Sequence, residues 1–395
     1  MNKFIAAFLL LACSLSVYAQ DKKKEEGYKF TTVKQANITP VKNQYRSGTC
    51  WCYSTMSFLE SELLHQGKGE YDLSEMFVVS HCYKDKGEKY VRLHGDLNYG
   101  QGGSFFDPLY VLKNYGIVPQ EAMEGQEYGE EKPVHSEIEK TSKAFLDAVI
   151  KDPNHKLTPV WEKAFSGIID AYLGKYPSNF TYKGENYTPQ SFADDLGLNA
   201  DDYVSITSYT HHPFYSNYAI AVPDNWLWSK SYNVPMNEMM QIIDHAIDKG
   251  YTIAWGADVS EEGFTREGIG VIPDTKAIEA AGSDQAKWFG LSSTEKKDKM
   301  KEAISKPCPE LKITQEMRQE AYDNYQTTDD HGMHMYGIAK DQTGKKYYMI
   351  KNSWGTDNKY KGTWYISKAF VEYKTMNFVV NKKAIPADIL KKLGL

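Results

Sequence analysis

Cys50 is the residue of this sequence best placed for nucleophilic chemistry, because it stands at the predicted start of a helix. That helix is predicted to run to about Gln66, since four side chains recur with the spacing of one helix face: Cys52, Met56, Leu59 and Leu63. The partial positive charge of a helix N-terminus stabilises a thiolate, the form of cysteine that attacks a carbonyl carbon. The side chain of Gln44 and the backbone N–H of Cys50 can both donate to the oxyanion that this attack forms. These residues predict acyl transfer through a cysteine.

A nucleophilic cysteine needs an imidazole partner that takes up and returns a proton. The best candidate is His331, which opens a stretch of strand character over residues 331–337. A polar and aromatic turn, residues 352–355, follows a short distance downstream. A nucleophile, a base and a side chain that orients the base form a generalised triad. Asp330 is either a further stabiliser of the imidazolium or a solvated acid in a turn.

These segments together resemble the papain superfamily of cysteine peptidases. The cysteine segment has the family's glutamine six residues before a Cys-Trp pair, and Gly48 supplies the glycine expected near the cysteine. The histidine segment matches the family pattern in His331, Gly332 and Gly337. Residues 352–355 are similar to its Asn-Ser-Trp-Gly element.

The resemblance implies a role for each matched residue. Cys50 is then the nucleophile, His331 is the general base, and Gln44 donates to the oxyanion. By the same match Asn352 orients the ring of His331 and fixes its tautomer, while Trp354 shields that bond and borders the substrate. The reaction needs side chains and water alone, so no cofactor is expected.

The loop at residues 101–104 resembles the family's Gly-Gly element, which offers backbone groups to an extended peptide. Glycine suits this place because the backbone of the substrate must come close to it. Gly102 and Gly103 are therefore the predicted substrate contacts, the alternative being an ordinary turn.

The remaining cysteines and a second histidine are predicted to have no part in the chemistry. Cys52 is expected to face the core, and His334 is expected on the opposite face of its strand from His331. Cys82 and Cys308 are treated as free thiols, although a bridge between them stays open. The cysteine and histidine spacings match no structural zinc pattern, so no metal site is predicted.

The order of helical and strand patterns predicts an α+β protein of the papain-like two-lobed fold. One lobe is expected to be helical, the other an antiparallel, barrel-like sheet, with a large and mostly helical insertion between them. The predicted division is a signal peptide (1–19), a disordered leader (20–30), the helical lobe with the nucleophile (31–124), the insertion (125–245), and the β-rich lobe with the histidine and asparagine (246–395).

Cys50 and His331 are 281 positions apart, which is further than a minimal papain-like domain requires. Segments at 233–245, 255–259 and 377–386 resemble the bleomycin hydrolase and aminopeptidase C branch of the superfamily in particular. That resemblance implies thiol-dependent hydrolysis of peptide bonds, with aminopeptidase activity the leading expectation. The ring-like hexamer of the branch leaves a homo-oligomer open.

In that branch the chain continues into a C-terminal arm that enters the cleft and limits cleavage to one residue from a free amino terminus. This sequence stops at Leu395, and we expect the arm to be missing. Two alternatives therefore stay open, an endopeptidase with the same chemistry and a catalytically silent peptide-binding protein. Peptides are the expected partners in all three cases.

The composition and the first residues bear on location and partners. The net charge is -6, without the basic excess that would favour nucleic-acid binding. A basic start, a short apolar run and small residues before Gln20 predict a signal peptide cleaved after Ala19, hence export to the periplasm or the medium. The alternative is a lipoprotein anchor at Cys13. No later segment is apolar enough over about 18 residues to predict a membrane span.

Overall fold

The computed structural model describes residues 27–154, 156–280 and 292–395. The predicted signal peptide, its cleavage site, Cys13 and most of the predicted leader lie outside these residues. The helices are α1 (Cys50–His65), α2 (Glu75–Arg92), α3 (Phe106–Asn114), α4 (Ser136–Ile150), α5 (Val160–Leu173), α6 (Pro189–Leu196), α7 (Met236–Asp248), α8 (Thr275–Ala280), α9 (Ser293–Ile304), α10 (Gln315–Asp323), α11 (Lys368–Lys374) and α12 (Ala387–Leu393). Among the described residues no helix is both long enough and apolar enough to cross a membrane.

The strands form one large mixed sheet and a separate hairpin. Their bounds are β1 (Phe30–Gln35), β2 (Phe180–Tyr182), β3 (Glu185–Tyr187), β4 (Tyr203–Thr207), β5 (Asn217–Ala219), β6 (Lys230–Asn233), β7 (Ile253–Ala257), β8 (Ile269–Gly270), β9 (His331–Asp341), β10 (Lys346–Lys351), β11 (Thr363–Ser367) and β12 (Thr375–Asn381). The sheet order is β5-β6-β4-β12-β7-β9-β10-β11-β8, and β1 pairs with β9 beside this path. As described, the sheet ends at β5 and β8 and does not close into a barrel.

α1 is the central helix of the molecule, and residues Trp51–Leu63 are buried all around it. The single apolar face seen in the sequence understates this burial, because α1 packs on β7 and β9 on one side and on α2 and α3 on another. Its side chains join the larger apolar cluster, which also includes the buried residues of α2 and α3. α1 therefore holds its first residue at the junction between the helices and the sheet.

The second helix is longer than the sequence indicates. Apolar spacing predicts a helix over Leu73–Val79, whereas α2 begins after the cap Ser74, whose hydroxyl accepts from Phe77 N at 3.1 Å, and continues to Arg92. The added turns are rich in charge, yet they pack against other parts of the chain. Lys84, for example, forms an ion pair with Asp170 of α5 at 2.5 Å. Charged residues that are buried through such partners interrupt the apolar face, and the sequence prediction depends on that face.

Residues 125–245, which the sequence predicts to be mostly helical, contain α4, α5, α6 and most of α7. The same segment also contributes β4, β5 and β6 to the large sheet, with β4 next to β12. These strands are short, and their pairing partners lie far away in the sequence. The segment is thus part of the sheet as well as a group of helices.

The C-terminal residues pack on the far side of the sheet lobe. Ile389 and Leu393 of α12 are buried in the same apolar cluster as α7. Lys392 forms an ion pair with Glu238 of α7 at 2.7 Å. The last turns of the chain are therefore anchored on α7.

Candidate active site

A cavity of about 320 Å³ lies where the start of α1 meets the start of β9. Its walls come from both halves of the chain and include most of the predicted site residues: Gln44, Cys50, Gly102, Gly103, His331 and Trp354. Asn352 lies behind His331 and does not line the cavity. The structure thus brings together every residue that the sequence singled out for chemistry.

Cys50 is the first residue of α1 and is half-buried. β9 approaches it closely at Gly332, where a Cβ atom would lie 2.9 Å from Ser54 Oγ and 3.2 Å from Trp51 Cα. A glycine is needed there because any side chain would push the strand away from the helix. The backbone N–H groups of Gly332 and Trp51 favour the thiolate and act to lower the pKa of the thiol. This approach places His331, the residue before Gly332, in the wall of the same cavity as the thiol.

The ring of His331 is held from two sides. Its Nε2–H donates to Asn352 Oδ1 at 2.8 Å, and Ser353 N donates to the same oxygen at 2.8 Å, so the amide oxygen faces the ring. The indole of Trp354 stacks on the ring with centroids 4.6 Å apart and an interplanar angle of 27°. With Nε2 carrying a proton, Nδ1 of the neutral ring is the nitrogen that can accept the proton of the thiol.

Burial controls the charge of both reacting groups. It raises the pKa of the Cys50 thiol to about 12, with Asp329 also raising it and the two backbone N–H donors lowering it. Burial lowers the pKa of His331 to about 4, against the hydrogen bond to Asn352, which raises it. A lone thiolate or a lone imidazolium is therefore unfavourable here. The two charges are favoured only together, when the thiol proton moves to Nδ1.

Gln44 is buried and its amide is fixed in one orientation. Nε2 donates to Ser47 O at 2.8 Å, and Oε1 accepts from the hydroxyl of Ser353. Gln44 N also donates to Ser353 O at 2.8 Å, which ties this segment to the turn that carries Asn352. An amide NH₂ group has two hydrogens, so one remains for an acceptor in the cavity.

The glycine loop forms the opposite wall and is packed against its neighbours. A Cβ atom at Gly103 would lie 2.8 Å from the ring of Trp51, and one at Gly102 would lie 2.0 Å from Asp224 Oδ2. The buried ammonium of Lys86 donates to the carbonyl of Gly102 and, at 3.3 Å, to that of Gly100. The loop therefore presents its backbone to the cavity in a fixed position.

The residues that the sequence excluded lie elsewhere. Cys52 is fully buried, with Sγ 3.4 Å from Glu75 O. His334 is also buried, and its Nδ1 is 2.8 Å from Ser57 Oγ. Cys82 and Cys308 are free thiols, so the bridge between them that the sequence left open is not formed.

Two acidic residues of the cavity were missed by the sequence reasoning, Asp224 and Asp329. Asp224 belongs to residues 125–245, where nothing in the local pattern marks it. Asp329 is two residues before His331, and this closeness was the available signal.

The overall fold is shared with a solved structure. PepW from Lactobacillus rhamnosis HN001 superposes with a TM-score of 0.68 at 18% identity, over 92% of this chain and 84% of that one. Fold and site together define a papain-like cysteine peptidase.

The model of the Peptidase C1-like family matches residues 77–394, and the chain belongs to that family. The matched residues include His331 and Asn352, whereas Gln44 and Cys50 precede them. Aminopeptidase C of Streptococcus thermophilus is 21% identical over 393 residues, covering 89% of this chain and 82% of that protein. Aminopeptidase W of Lactobacillus delbrueckii subsp. lactis is 23% identical over 390 residues, covering 89% and 83%.

Proposed function

We propose that the protein is an aminopeptidase that removes residues from peptides through an acyl-enzyme on Cys50. The observation that carries this proposal is the shared cavity, which is lined both by Cys50 at the start of α1 and by His331, whose ring is held by Asn352. The similarity to relatives named aminopeptidases C and W supports the choice of the amino-terminal bond.

The proposed reaction begins when His331 Nδ1 takes the proton of Cys50 and the sulfur attacks the carbonyl carbon of the scissile bond. The oxyanion accepts hydrogen bonds from Gln44 Nε2 and from Cys50 N, a backbone group that has no acceptor within the helix. The imidazolium then protonates the leaving amine as the C–N bond breaks. A water molecule, deprotonated by the same ring nitrogen, hydrolyses the thioester and restores the thiol.

The direct test compares Cys50→Ala with Cys52→Ala on an alanyl aminomethylcoumarin substrate. We expect the first change to abolish hydrolysis and the second to leave the thiol chemistry in place, since Cys52 points into the core. Alkylation by an epoxide-type thiol probe should map to Cys50 in the folded protein. Unchanged hydrolysis by Cys50→Ala would overturn the assignment, and a folded protein that neither reacts nor hydrolyses would favour the peptide-binding alternative.

A second candidate, an endopeptidase with the same chemistry, is favoured by two features of the cleft. The C-terminal residues pack on α7, and none of residues 386–395 lines the catalytic cavity. A second cavity, of about 440 Å³, is lined by Tyr325 and Met376. It meets the catalytic cavity at Asp329, which lines both cavities. A preference for N-acetylated over unblocked peptides would select this candidate, and the reverse preference would select the aminopeptidase.

We also propose that the protein is exported, on the basis of the residue pattern before Gln20. Intact-mass measurement of the protein from its own cells tests this, with loss of residues 1–19 expected. A mature chain that begins at a lipid-modified Cys13 would replace secretion by membrane anchoring, and a retained Met1 would contradict export.

A further inference from the structure

Three carboxylates lie together in one wall of the catalytic cavity: Asp224, Asp329 and Asp330. They come from two distant parts of the chain, Asp224 from the segment after β5 and the other two from the residues that lead into β9. Their negative charge is felt at the nucleophile, since both Asp329 and Asp224 raise the pKa of the Cys50 thiol. The wall is therefore strongly acidic where the acyl part of a substrate must lie.

Two of these carboxylates have partners within the protein. Asp224 accepts from Asn98 Nδ2 at 2.9 Å and is near the ammonium of Lys86, which lowers its pKa against the larger effect of burial. Asp330 accepts from Val259 N at 3.1 Å.

Asp329 differs, because its carboxyl group receives no hydrogen bond and no ion pair from any residue in the described part of the chain. Asp329 is half-buried in the wall, and burial followed by Asp224, Asp330 and Asp107 raises its pKa to about 7. No cation or donor acts in the opposite direction. A carboxylate that lies beside other carboxylates and has no cationic partner is unfavourable, and a bound cation would offset that repulsion.

The chemistry of the cavity points to an ammonium ion as that cation. Residues 27–154, 156–280 and 292–395 contain no group of three or more His, Cys, Asp or Glu side chains placed to hold a metal ion. When Cys50 attacks the first peptide bond of a substrate, the α-amine is roughly 2.5 Å from the attacked carbon, as backbone geometry requires. That amine must therefore lie in the same cavity as the acidic wall.

We propose that Asp329, with Asp224 beside it, binds the α-ammonium group of the substrate and so selects unblocked amino termini. This inference rests on the proposed aminopeptidase activity and identifies the residues that would give it its specificity. It requires no contribution from the C-terminal residues, which are packed on α7.

The experiment compares Asp329→Asn, Asp329→Ser and Asp224→Asn with the unchanged protein on alanyl aminomethylcoumarin and its N-acetylated form. The asparagine and serine variants at 329 should lower kcat/KM for the unblocked substrate by about 10- to 100-fold, mainly through KM, as expected for a lost charged contact. The value for the acetylated substrate should change by less than roughly threefold. Asp224→Asn should have a smaller effect, because Asp224 already has partners.

Asp357→Asn is the matched control. Asp357 is exposed beside Trp354 in a neighbouring groove, outside the catalytic cavity, so the variant removes the same charge without touching the proposed ammonium site. Its ratio of unblocked to acetylated hydrolysis should equal that of the unchanged protein. Thermal unfolding and alkylation of Cys50 by iodoacetamide establish that each variant is folded with an accessible thiol.

The outcomes separate this inference from the proposed function. An unchanged protein that hydrolyses both substrates equally would contradict the aminopeptidase itself. A protein that prefers the unblocked substrate, and keeps that preference in both Asp329 variants, would overturn only the role of Asp329. A second pair of substrates, N-acetylated dipeptides with lysine or norleucine before the alanine, tests the other source of an ammonium group. If the Asp329 variants lose hydrolysis of the lysine substrate but not of the norleucine substrate, the site binds a lysine side chain of the substrate, and the proposal is overturned.

Discussion

Nε2 of His331 lies 2.8 Å from Oδ1 of Asn352, although the two residues are 21 positions apart. The contact joins the first residue of β9 to the turn after β10, two strands that pair antiparallel in the sheet. Sheet pairing therefore positions the base, and the stacked indole of Trp354 covers the contact from one side. Each component of this arrangement can be removed separately.

Asn352→Ala should lower kcat without unfolding the protein. Loss of the acceptor lets the imidazole ring turn, and misplacement of a catalytic group by about 1 Å can cost roughly 100-fold in rate. Asn352→Asp keeps an acceptor at the same place and should retain more activity than alanine. Steady-state kinetics on an alanyl amide checks this, with circular dichroism as the control for folding. Equal kcat in Asn352→Ala and the unchanged protein would show that the ring is oriented by Trp354 alone.

Gln44→Ala should lower kcat about 10²- to 10³-fold, the usual effect of removing one oxyanion donor. KM should change little, because the oxyanion exists only in the transition state. Gln44→Glu has nearly the same shape but no N–H donor, so it should be as inactive as alanine. Gln342→Ala, a change at the surface contact with Gly27, is the control and should keep full activity. Full activity in Gln44→Glu would contradict the assigned role.

Gly103→Ala should disrupt the glycine loop, because the added Cβ would lie 2.5 Å from Asp107 Oδ2 and 2.8 Å from the ring of Trp51. We expect a lower melting temperature and weaker peptide binding, seen as a higher KM. Gly167→Ala is the matched control. Gly167 lies within α5 with no atom near its added Cβ, so alanine there should stabilise the protein by about 0.5–1 kcal/mol. Equal melting temperatures for the two variants would show that the loop yields to a side chain.

The residues proposed for catalysis could be singled out from the sequence because each stands in a short local motif. Cys50 begins a recognisable helix, His331 begins the strand pattern of β9, and Asn352 directly follows that of β10. The strand character predicted for residues 331–337 corresponds to the first part of β9, which is mostly buried. Such signals are contained within a few neighbouring residues.

Asp224 and Asp329 were not predictable in this way, because their meaning depends on contacts between distant segments. Asp224 reaches the cavity only since β4 to β6 join the sheet, and those short strands carry no clear alternation. An isolated aspartate in a polar loop has the same local appearance whether it is solvated or buried. The acidic wall is therefore a property of the tertiary structure.

Asp329→Asn should stabilise the folded protein at alkaline pH while it lowers activity. In the unfolded chain an aspartate titrates near 4, whereas burial, Asp224, Asp330 and Asp107 raise the pKa of Asp329 to about 7 in the fold. Between these values the folded protein holds a proton that the unfolded chain has lost, so the contribution of Asp329 to stability falls as pH rises. Asparagine is neutral at every pH, so the variant does not lose stability at this position as the pH rises.

The difference in melting temperature between Asp329→Asn and the unchanged protein should therefore be small near pH 4 and positive, by about 2 °C or more, at pH 8. Differential scanning calorimetry at the two pH values measures it, and Asp357→Asn should show no such pH-dependent gain, since Asp357 is exposed. A variant that is less stable than the unchanged protein at pH 8 would mean that Asp329 already has a stabilising partner. The other outcome is that the variant gains stability and loses the preference for free amino termini. That result would show that the Asp329 carboxylate lowers the stability of the free protein and is stabilised by the ammonium group of the substrate.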